Sequence, residues 1–589
     1  MAGISAACRD LTSLRLLKAV APTGKVCRSL SRLPALLQGR SAALRRASRR
    51  SYSERLPRCV APAGVVEAAA SMSENGESAT RSRATMRPMT DTDALPARDT
   101  VPPRDVCFRA MAAKDARFDG LFFVAVKSTG IYCRPVCPAP APKRGNVSFF
   151  PNAAAATAAG YRPCLRCRPE LSPDAFAQVR EDAVRRALAL IAEGALQDDD
   201  VAALAARVGL GARQLQRVFL AHVGATPHAV HATRRLLLAK QLLTETSLPA
   251  TEVALAAGYN SLRRFNAAFL DGCGMPPTAI RRQASAAKTP AGTLALRLGY
   301  RPPLDFGLLL RFLAKRAIPG IERVDDDAYL RAIGDGRAWL RVSAIDGKAE
   351  LRLELADLAP GDTKRIPDFV RRVRRMFDLD ADLRPVHALF AQDPLLARAI
   401  AAHPGLRVPC GWDGFELAVR AVLGQQISVA GATTLARRLV DAWGGHRDGA
   451  PTGLDRTFPS PQVLRDTPLE TIGLPKTRAA TIRALAAAVV DGRLSFEGGQ
   501  RLEDFVARAT ALPGIGDWTA QYIAMRGLAL PDAFPAGDLV LQQRLAPAGT
   551  ARLSERATAA RAEAWRPWRG YAVLHLWHLP NDTEEAAAA

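Results

Sequence analysis

The run Leu512-Pro513-Gly514-Ile515-Gly516 stands between two stretches of helical periodicity. A glycine-rich turn at this place leaves backbone N–H groups unbonded at the start of the second helix, and such groups suit a phosphate. The same run could also form an ordinary tight turn. The residues on both sides must therefore distinguish the two interpretations.

The flanking sequence favours the phosphate-binding interpretation. Trp518-Thr519-Ala520-Gln521-Tyr522 follows the turn, and Pro535-Ala536-Gly537-Asp538 comes a short loop later. Four further stretches belong to the same pattern, at residues 411–416, 421–428, 565–572 and 575–577. Together they resemble the helix-hairpin-helix superfamily of DNA glycosylases, and within it the AlkA-type 3-methyladenine DNA glycosylase II.

This resemblance implies a catalytic aspartate at Asp538 and DNA-backbone contacts at Gly514 and Gly516. A carboxylate would stabilise the positive charge that builds on the sugar as the N-glycosidic bond breaks, and would orient the attacking water. The alternative for Asp538 is a loop or capping aspartate, which is common after glycine. The implied base pocket has electron-rich rings that suit a cationic base, although helical aromatic residues pack in a core by default. Its members are Phe312, Trp518, Tyr522 and Trp577.

Three further features refine the class. Bifunctional relatives carry a Schiff-base lysine where this chain has Trp518, so the resemblance implies hydrolysis without strand cleavage. Gln426 stands near the apolar wedge of the family, where it would fill the gap left by a flipped base and bond the orphan base. No cysteine follows Cys410, so the iron–sulfur cluster of some relatives is not expected.

Four of the ten cysteines form two close pairs, Cys133-x3-Cys137 and Cys164-x2-Cys167. Each short spacing lets one turn present two sulfurs to the same ion, so the pattern predicts a tetrahedral Zn²⁺ site. A disulfide scaffold would be shorter and denser in cysteine, which favours a reducing compartment.

The residues around these cysteines, at 127–135 and 160–167, resemble the amino-terminal domain of the Ada family. In that family the first cysteine of the set accepts a methyl group from a DNA methylphosphotriester, which implies this role for Cys133. A zinc-bound sulfur stays a thiolate and remains nucleophilic. The alternative is a purely structural zinc site. Basic neighbours could hold the DNA backbone: Arg134, Lys143, Arg144, Arg162, Arg166 and Arg168.

A helix-turn-helix pattern occurs twice, at about 201–221 and again at about 251–269. Each unit closes on glycine and proline, at residues 224–227 and 274–277, and a long helix of about 228–244 joins them. The repeat resembles the AraC-type DNA-binding domain, although a helical bundle with a solvated basic surface is the alternative. The residues expected to face DNA bases are Arg213, Gln214, Gln216, Arg217, Arg263, Arg264 and Asn266.

Composition agrees with a nucleic-acid partner. The chain has 589 residues, which is too long for one hydrophobic core. Its formal net charge of +24 attracts polyanions. No apolar run reaches the roughly 18 residues needed to cross a membrane. Residues 1–98 are rich in arginine and serine. They would be a transit peptide, a disordered basic extension or the product of a start codon assigned too early, and we favour the last.

These patterns predict a multidomain, mainly α protein. We expect a small zinc-bound α/β module at 99–175, an all-α double helix-turn-helix domain at 178–283, a small α+β domain like that of AlkA at 290–375, an all-α glycosylase domain at 376–580 and a tail at 581–589. The expected protein is monomeric and cytoplasmic, binds alkylated double-stranded DNA and promoter DNA, and excises 3-methyladenine-type bases. The alternatives are a methylation-responsive regulator with a weak glycosylase region and a zinc protein that accepts no methyl group.

Overall fold

The protein is described by a computed structural model over residues 101–579 except 180, 199, 284–289, 291, 335, 336, 360 and 548. The predicted extension at 1–98 and the tail at 581–589 lie outside the described residues. The described part contains mostly helices and two small sheets, which confirms the predicted fold class. None of its helices has the length and apolar character needed to cross a membrane.

The cysteine-containing module is a four-stranded sheet with two helices. Its elements are α1 (Arg104–Ala112), β1 (Phe123–Val126), β2 (Ile131–Cys133), β3 (Val147–Phe150), α2 (Ala153–Ala158) and β4 (Arg162–Pro163), with strand order β3-β1-β2-β4. Both faces of β1 are covered, because alternate side chains point to opposite sides of a strand. Val124 packs with Val147 on one face, while Phe123 and Ala125 pack with Tyr132 on the other.

Eight helices form the next module. They are α3 (Asp182–Ala192), α4 (Ala195–Asp198), α5 (Val201–Arg207), α6 (Ala212–Val223), α7 (Pro227–Glu245), α8 (Ala250–Ala256), α9 (Leu262–Cys273) and α10 (Pro277–Gln283). Gly224 and Gly274 end α6 and α9 in the left-handed conformation, with φ of 74° and 70°, which a glycine adopts without a steric penalty. The glycines predicted to close the two helix-turn-helix units therefore lie at equivalent positions, directly after α6 and after α9.

The α+β domain contains β5 (Thr293–Gly299), α11 (Phe306–Ala314), β6 (Glu322–Val324), β7 (Ala328–Ala332), β8 (Trp339–Ala344), β9 (Glu350–Ala356) and α12 (Ile366–Met376). The antiparallel sheet has the order β5-β9-β8-β7-β6. The alternating leucines of its first and last strands lie opposite one another. In this register Leu296 pairs with Leu353 and Leu298 with Leu351, and all four are buried.

The last region is helical: α13 (Leu383–Phe390), α14 (Pro394–Ala402), α15 (Gly414–Leu423), α16 (Val429–Trp443), α17 (Pro461–Arg465), α18 (Lys476–Val490), α19 (Leu502–Thr510), α20 (Asp517–Gly527), α21 (Leu539–Arg544), α22 (Glu555–Ala562) and α23 (Arg569–His578). Nearly every residue of α15 is buried, which places it centrally against α18 and α20. The glycine-rich run forms the hairpin between α19 and α20.

Buried polar contacts join the modules. Arg301 is 2% exposed and donates to the carbonyls of Asp119 and Asp174, at 2.9 and 2.6 Å, on the cysteine module side. Lys240 of α7 pairs with Glu170, and both side chains are fully enclosed. Arg301 thus joins the α+β domain to the cysteine module, and Lys240 joins the helix-turn-helix pair to it. Arg297 of β5 pairs with Glu245 of α7, so the helix-turn-helix pair also contacts the α+β domain.

Candidate functional site

Asp538 is the residue that precedes α21. Its Oδ1 accepts hydrogen bonds from the backbone N–H groups of Val540 and Leu541, both at 3.1 Å. The capping role considered from the sequence is therefore present. It also orients the carboxylate, since two fixed amides hold one of its oxygens.

Two tryptophan side chains bind the same carboxylate. Trp518 donates its indole N–H to Oδ2 and Trp577 donates to Oδ1, each at 3.2 Å. With the two amides, Asp538 accepts four hydrogen bonds. An ionised carboxylate can only accept, so this set of donors suits its charged form.

Asp538 opens onto a cleft of about 990 Å³ that all four predicted pocket aromatics line. The rings of Trp518 and Tyr522 stack on each other, 5.3 Å apart and 11° from parallel. Trp577 lies 6.3 Å from Tyr522, tilted by 40°. The structure thus brings the predicted aspartate and aromatic residues to one concave site.

Arg316 and Arg526 were missed by the sequence interpretation, and both line this cleft. Their guanidinium groups lie 3.7 and 4.7 Å from the centre of the Phe312 ring. Two cations of the protein itself therefore make cation–π contacts with this ring. Burial and the charge of Arg526 lower the pKa of Arg316 to about 10. The available signal was spacing, because each arginine follows a pocket aromatic, Phe312 or Tyr522, by four residues.

Arg526 also fixes the phenol of Tyr522. It is 4% exposed, donates to the Tyr522 hydroxyl and holds the Pro409 carbonyl at 2.8 Å. Burial would raise the pKa of Tyr522, but the charges of Arg526 and Arg316 lower it below its ordinary value. The hydroxyl is therefore bound by a buried cation at the edge of the pocket.

The hairpin between α19 and α20 contains Gly514 and Gly516, the two glycines predicted to contact the DNA backbone. Gly514 has φ +81°, and a Cβ there would overlap Thr481, whereas Gly516 has open space around it. In the described part of the chain, the N–H groups of both glycines have no acceptor. Gln425 binds the Gly514 carbonyl at 3.0 Å, and its neighbour Gln426 adopts φ +57°. Gln425, which sequence analysis did not single out, therefore ties the predicted wedge to the hairpin.

The four predicted metal ligands also meet. Their sulfur atoms lie within 4.8 Å of one another, with Cys164 and Cys167 buried and Cys133 and Cys137 partly exposed. The backbone N–H of Arg134 donates to the Cys167 sulfur at 3.3 Å, as expected for a sulfur that bears negative charge. Four thiolates at this separation fit one tetrahedral Zn²⁺.

The six basic residues predicted around this cluster differ in exposure and in partners. Arg134 is 8% exposed and pairs with Asp119, while Arg168 pairs with Glu170 and Glu245, so these two arginines hold the protein together rather than facing DNA. The sequence could not distinguish them from their neighbours. The exposed members are Lys143, Arg144 and Arg166, and Arg162 is partly buried.

The seven predicted base-facing residues of α6 and α9 are all exposed. Arg213, Gln216 and Arg217 share one face of α6 at helical spacing, and Arg263 and Asn266 share one face of α9. Gln214 and Arg264 lie one position around from these faces. Each helix therefore presents these polar side chains away from its core residues, together with exposed Leu220 on α6 and Leu270 on α9.

Four family models match consecutive parts of the chain. They are the metal binding domain of Ada at 106–170, a helix-turn-helix domain at 204–283, the AlkA N-terminal domain at 295–413 and the HhH-GPD superfamily base excision DNA repair protein at 419–569. The first model covers all four clustered cysteines. The cluster is thus a zinc centre, and the predicted Zn²⁺ is confirmed.

Three relatives cover different shares of the chain. The probable bifunctional transcriptional activator/DNA repair enzyme AlkA of Mycobacterium tuberculosis is 42% identical over 480 residues, 80% of this chain and 95% of that protein. DNA-3-methyladenine glycosylase 2 of Escherichia coli is 35% identical over 287 residues, 48% of this chain and 96% of that protein. The Escherichia coli bifunctional transcriptional activator/DNA repair enzyme Ada is 33% identical over 228 residues, 38% and 60% of the two chains.

Proposed function

This chain belongs to the family of bifunctional transcriptional activator/DNA repair enzymes of the AlkA type, and on that premise we propose that the protein excises alkylated bases from double-stranded DNA with Asp538 as its catalytic residue. The chain is a DNA-3-methyladenine glycosylase joined to an Ada-type zinc module and a helix-turn-helix DNA-binding region. The residues that perform each activity are the subject of the proposal.

In the proposed reaction, the flipped base enters the cleft and its glycosidic bond faces Asp538. The bond from the sugar to the base nitrogen breaks, and the electron pair leaves with the base. The ionised carboxylate stabilises the positive charge that develops on the sugar. A water molecule then adds its oxygen to the sugar carbon and gives up one proton to the surrounding water, so the products are free base and an abasic sugar.

The observation that carries this proposal is the fourfold hydrogen bonding of Asp538 at the mouth of an aromatic cleft. Trp518 and Trp577 aim their N–H groups at the carboxylate while their rings line the pocket. Alkylated purines already carry positive charge, and electron-rich rings favour such a base. The backbone amides of Gly514 and Gly516 have no acceptor among the described residues, which supports binding of a DNA phosphate at the hairpin.

The test is release of 3-methyladenine from methylated duplex DNA by the parent and by Asp538→Asn. The variant keeps the size and the acceptor oxygen of the side chain but removes the charge, so we expect at least about a hundredfold loss of rate. Asp517→Asn is the matched control, since Asp517 is an exposed carboxylate beside Trp518. Full activity in Asp538→Asn would refute the assignment.

We also propose that Cys133 accepts a methyl group from a methylphosphotriester. The Cys133 sulfur bonds to the methyl carbon, the methyl–oxygen bond breaks, and the oxygen keeps the electron pair as an ordinary phosphodiester. Bound Zn²⁺ keeps the sulfurs as thiolates at neutral pH. Cys133 and Cys137 are the two partly exposed cysteines of the cluster, and the Ada-like sequence around Cys133 favours Cys133 as the acceptor. Lys143, Arg144 and Arg166 would hold the backbone.

Peptide mass spectrometry tests the methyl transfer. After incubation with duplex DNA that carries methylphosphotriesters, the peptide with Cys133 is expected to gain one methyl group. Cys133→Ser is expected to gain none, and Cys273→Ser, which removes a buried cysteine outside the cluster, is expected to behave like the parent. Methylation at another cysteine of the cluster would overturn the choice of Cys133.

The helix-turn-helix pair supports sequence-specific promoter binding as the second function. Arg213, Gln216 and Arg217 would contact bases from α6, and Arg263 and Asn266 from α9. Arg213→Ala is expected to reduce affinity for the selected sequence more than for random DNA. An equal loss on both would assign Arg213 to the phosphate backbone instead.

We further propose that the protein acts as a cytoplasmic monomer on nucleoid DNA, with the domain boundaries predicted above. Analytical ultracentrifugation at several concentrations tests the monomer. A mass that doubles with concentration would contradict it.

A further inference from the structure

His578 is the last residue of α23 and directly follows Trp577. It lines the same cleft as Asp538 and Phe312. Its ring lies 6.2 Å from the Phe312 ring and 6.3 Å from the His403 ring. The side chain therefore belongs to the wall of the base pocket, on the side of Phe312.

The hydrogen bonding of His578 fixes its tautomer. Nδ1 lies 2.8 Å from the carbonyl oxygen of Leu574. A carbonyl only accepts, so Nδ1 carries the hydrogen, and Nε2 of the neutral ring is an acceptor. Among the residues that the structure describes, none donates to Nε2. Burial and the charges of His403, Arg316 and Lys315 lower the pKa of His578, which keeps the ring neutral at neutral pH.

The strongest acceptors around the cleft already have donors. Asp538 accepts from two indoles and two amides. Glu322 and Glu416 pair with Arg331 and Arg420. The cleft is thus left with an unoccupied imidazole acceptor beside its aromatic wall.

We propose that His578 is a specificity-determining residue whose Nε2 accepts a hydrogen bond from the C6 amino group of a flipped adenine-type base. Asp538 marks the sugar side of the pocket, whereas His578 lies beside Phe312 and does not bind this carboxylate, a placement that supports contact with the edge of the purine remote from the glycosidic nitrogen. A guanine-type base presents a carbonyl oxygen at C6, which would oppose Nε2 with a second acceptor. This inference rests on the proposed excision of alkylated purines.

The test compares release of 3-methyladenine and 3-methylguanine, which are methylated at the same nitrogen, from duplex DNA. We expect the parent to favour 3-methyladenine in kcat/KM. His578→Phe keeps an aromatic ring but removes the acceptor. It is expected to lower the ratio of kcat/KM for 3-methyladenine to kcat/KM for 3-methylguanine about tenfold. His578→Gln, whose side-chain oxygen restores an acceptor, is expected to recover most of the ratio. His403→Phe is the control, because His403 contacts the His578 ring without lining the cleft.

The outcomes separate this inference from the function on which it rests. If the parent releases neither base, the proposed excision fails. If it releases both and His578→Phe changes both rates equally, excision stands and His578 has only a structural role. A ratio that shifts toward 3-methyladenine in His578→Phe would also overturn the assignment, since it would place the contact at the C2 side.

Discussion

The indole N–H of Trp518 lies 3.2 Å from Oδ2 of Asp538, while the ring of the same tryptophan stacks on Tyr522. One side chain therefore both orients the carboxylate and builds the pocket. The two roles can be separated, because phenylalanine keeps a stacking ring and lacks the N–H donor.

Trp518→Phe is expected to lower kcat for base release by about tenfold to a hundredfold, because a hydrogen bond to a charged group is lost. The free energy of unfolding should change little. Trp443→Phe is the control, since Trp443 packs on the core and does not line the cleft. An unchanged kcat in Trp518→Phe would show that the two amides and Trp577 orient Asp538 without Trp518.

The two hairpin glycines are expected to respond differently to alanine. Gly514→Ala forces a side chain into a left-handed backbone conformation against Thr481, at a cost of roughly 1–3 kcal/mol of unfolding free energy, and should weaken DNA binding. Gly516 has a negative φ of −86° and space for a Cβ, so Gly516→Ala should fold normally. Urea denaturation and fluorescence anisotropy measure both effects. Equal destabilisation by the two substitutions would contradict the hairpin geometry.

Local patterns predicted much of this architecture. Leu296, Leu298, Leu351 and Leu353 stand at every second position, a spacing typical of strands, and these leucines face each other across one sheet. The short cysteine spacings predicted the cluster because each pair is nearly local. Both signals depend on residues close in sequence, where backbone geometry limits the outcome.

The roles of individual arginines could not be predicted in this way. Arg134 was expected to face DNA, yet it is buried against Asp119. Arg526 reaches the Phe312 ring from α20, which is far from α11 in sequence, whereas Arg316 follows Phe312 by only four residues. Which arginine is buried depends on the docking of whole modules, and a strongly basic sequence offers many equivalent candidates. The acceptor role of Nε2 of His578 likewise depends on one contact within α23, the hydrogen bond from Nδ1 to the Leu574 carbonyl.

The zinc centre gives a prediction about metal content. Cys164→Ser removes a buried ligand, so we expect loss of bound zinc and of methyl acceptance. Cys107→Ser is the control, because Cys107 is buried in the same module and its thiol donates to Pro102 rather than joining the cluster. Zinc is measured by mass spectrometry of the native protein. Stoichiometric zinc in Cys164→Ser would exclude Cys164 as a required ligand.

Glu322 is a buried carboxylate that two arginines keep ionised. Burial would raise the pKa of Glu322, but the charges of Arg420 and Arg331 and the hydrogen bond from Tyr329 lower it to about 2. A lowered pKa in the folded state means that the ionised group stabilises the protein above its ordinary pKa of 4.5. This stabilisation is lost as pH falls from there toward 2. Glu322→Gln is therefore expected to lose about 3–5 kcal/mol at neutral pH, because two buried arginines lose one anionic partner.

The difference in unfolding free energy between parent and Glu322→Gln should accordingly shrink between pH 4.5 and the acid limit of folding. Denaturant titrations at successive pH values measure it. Glu354→Gln is the matched control, since Glu354 pairs with Arg341 at a partly exposed site and should cost less than about 1 kcal/mol. A difference that stays constant with pH would mean that Glu322 titrates alike in the folded and unfolded chains, and that its two arginines do not hold its charge.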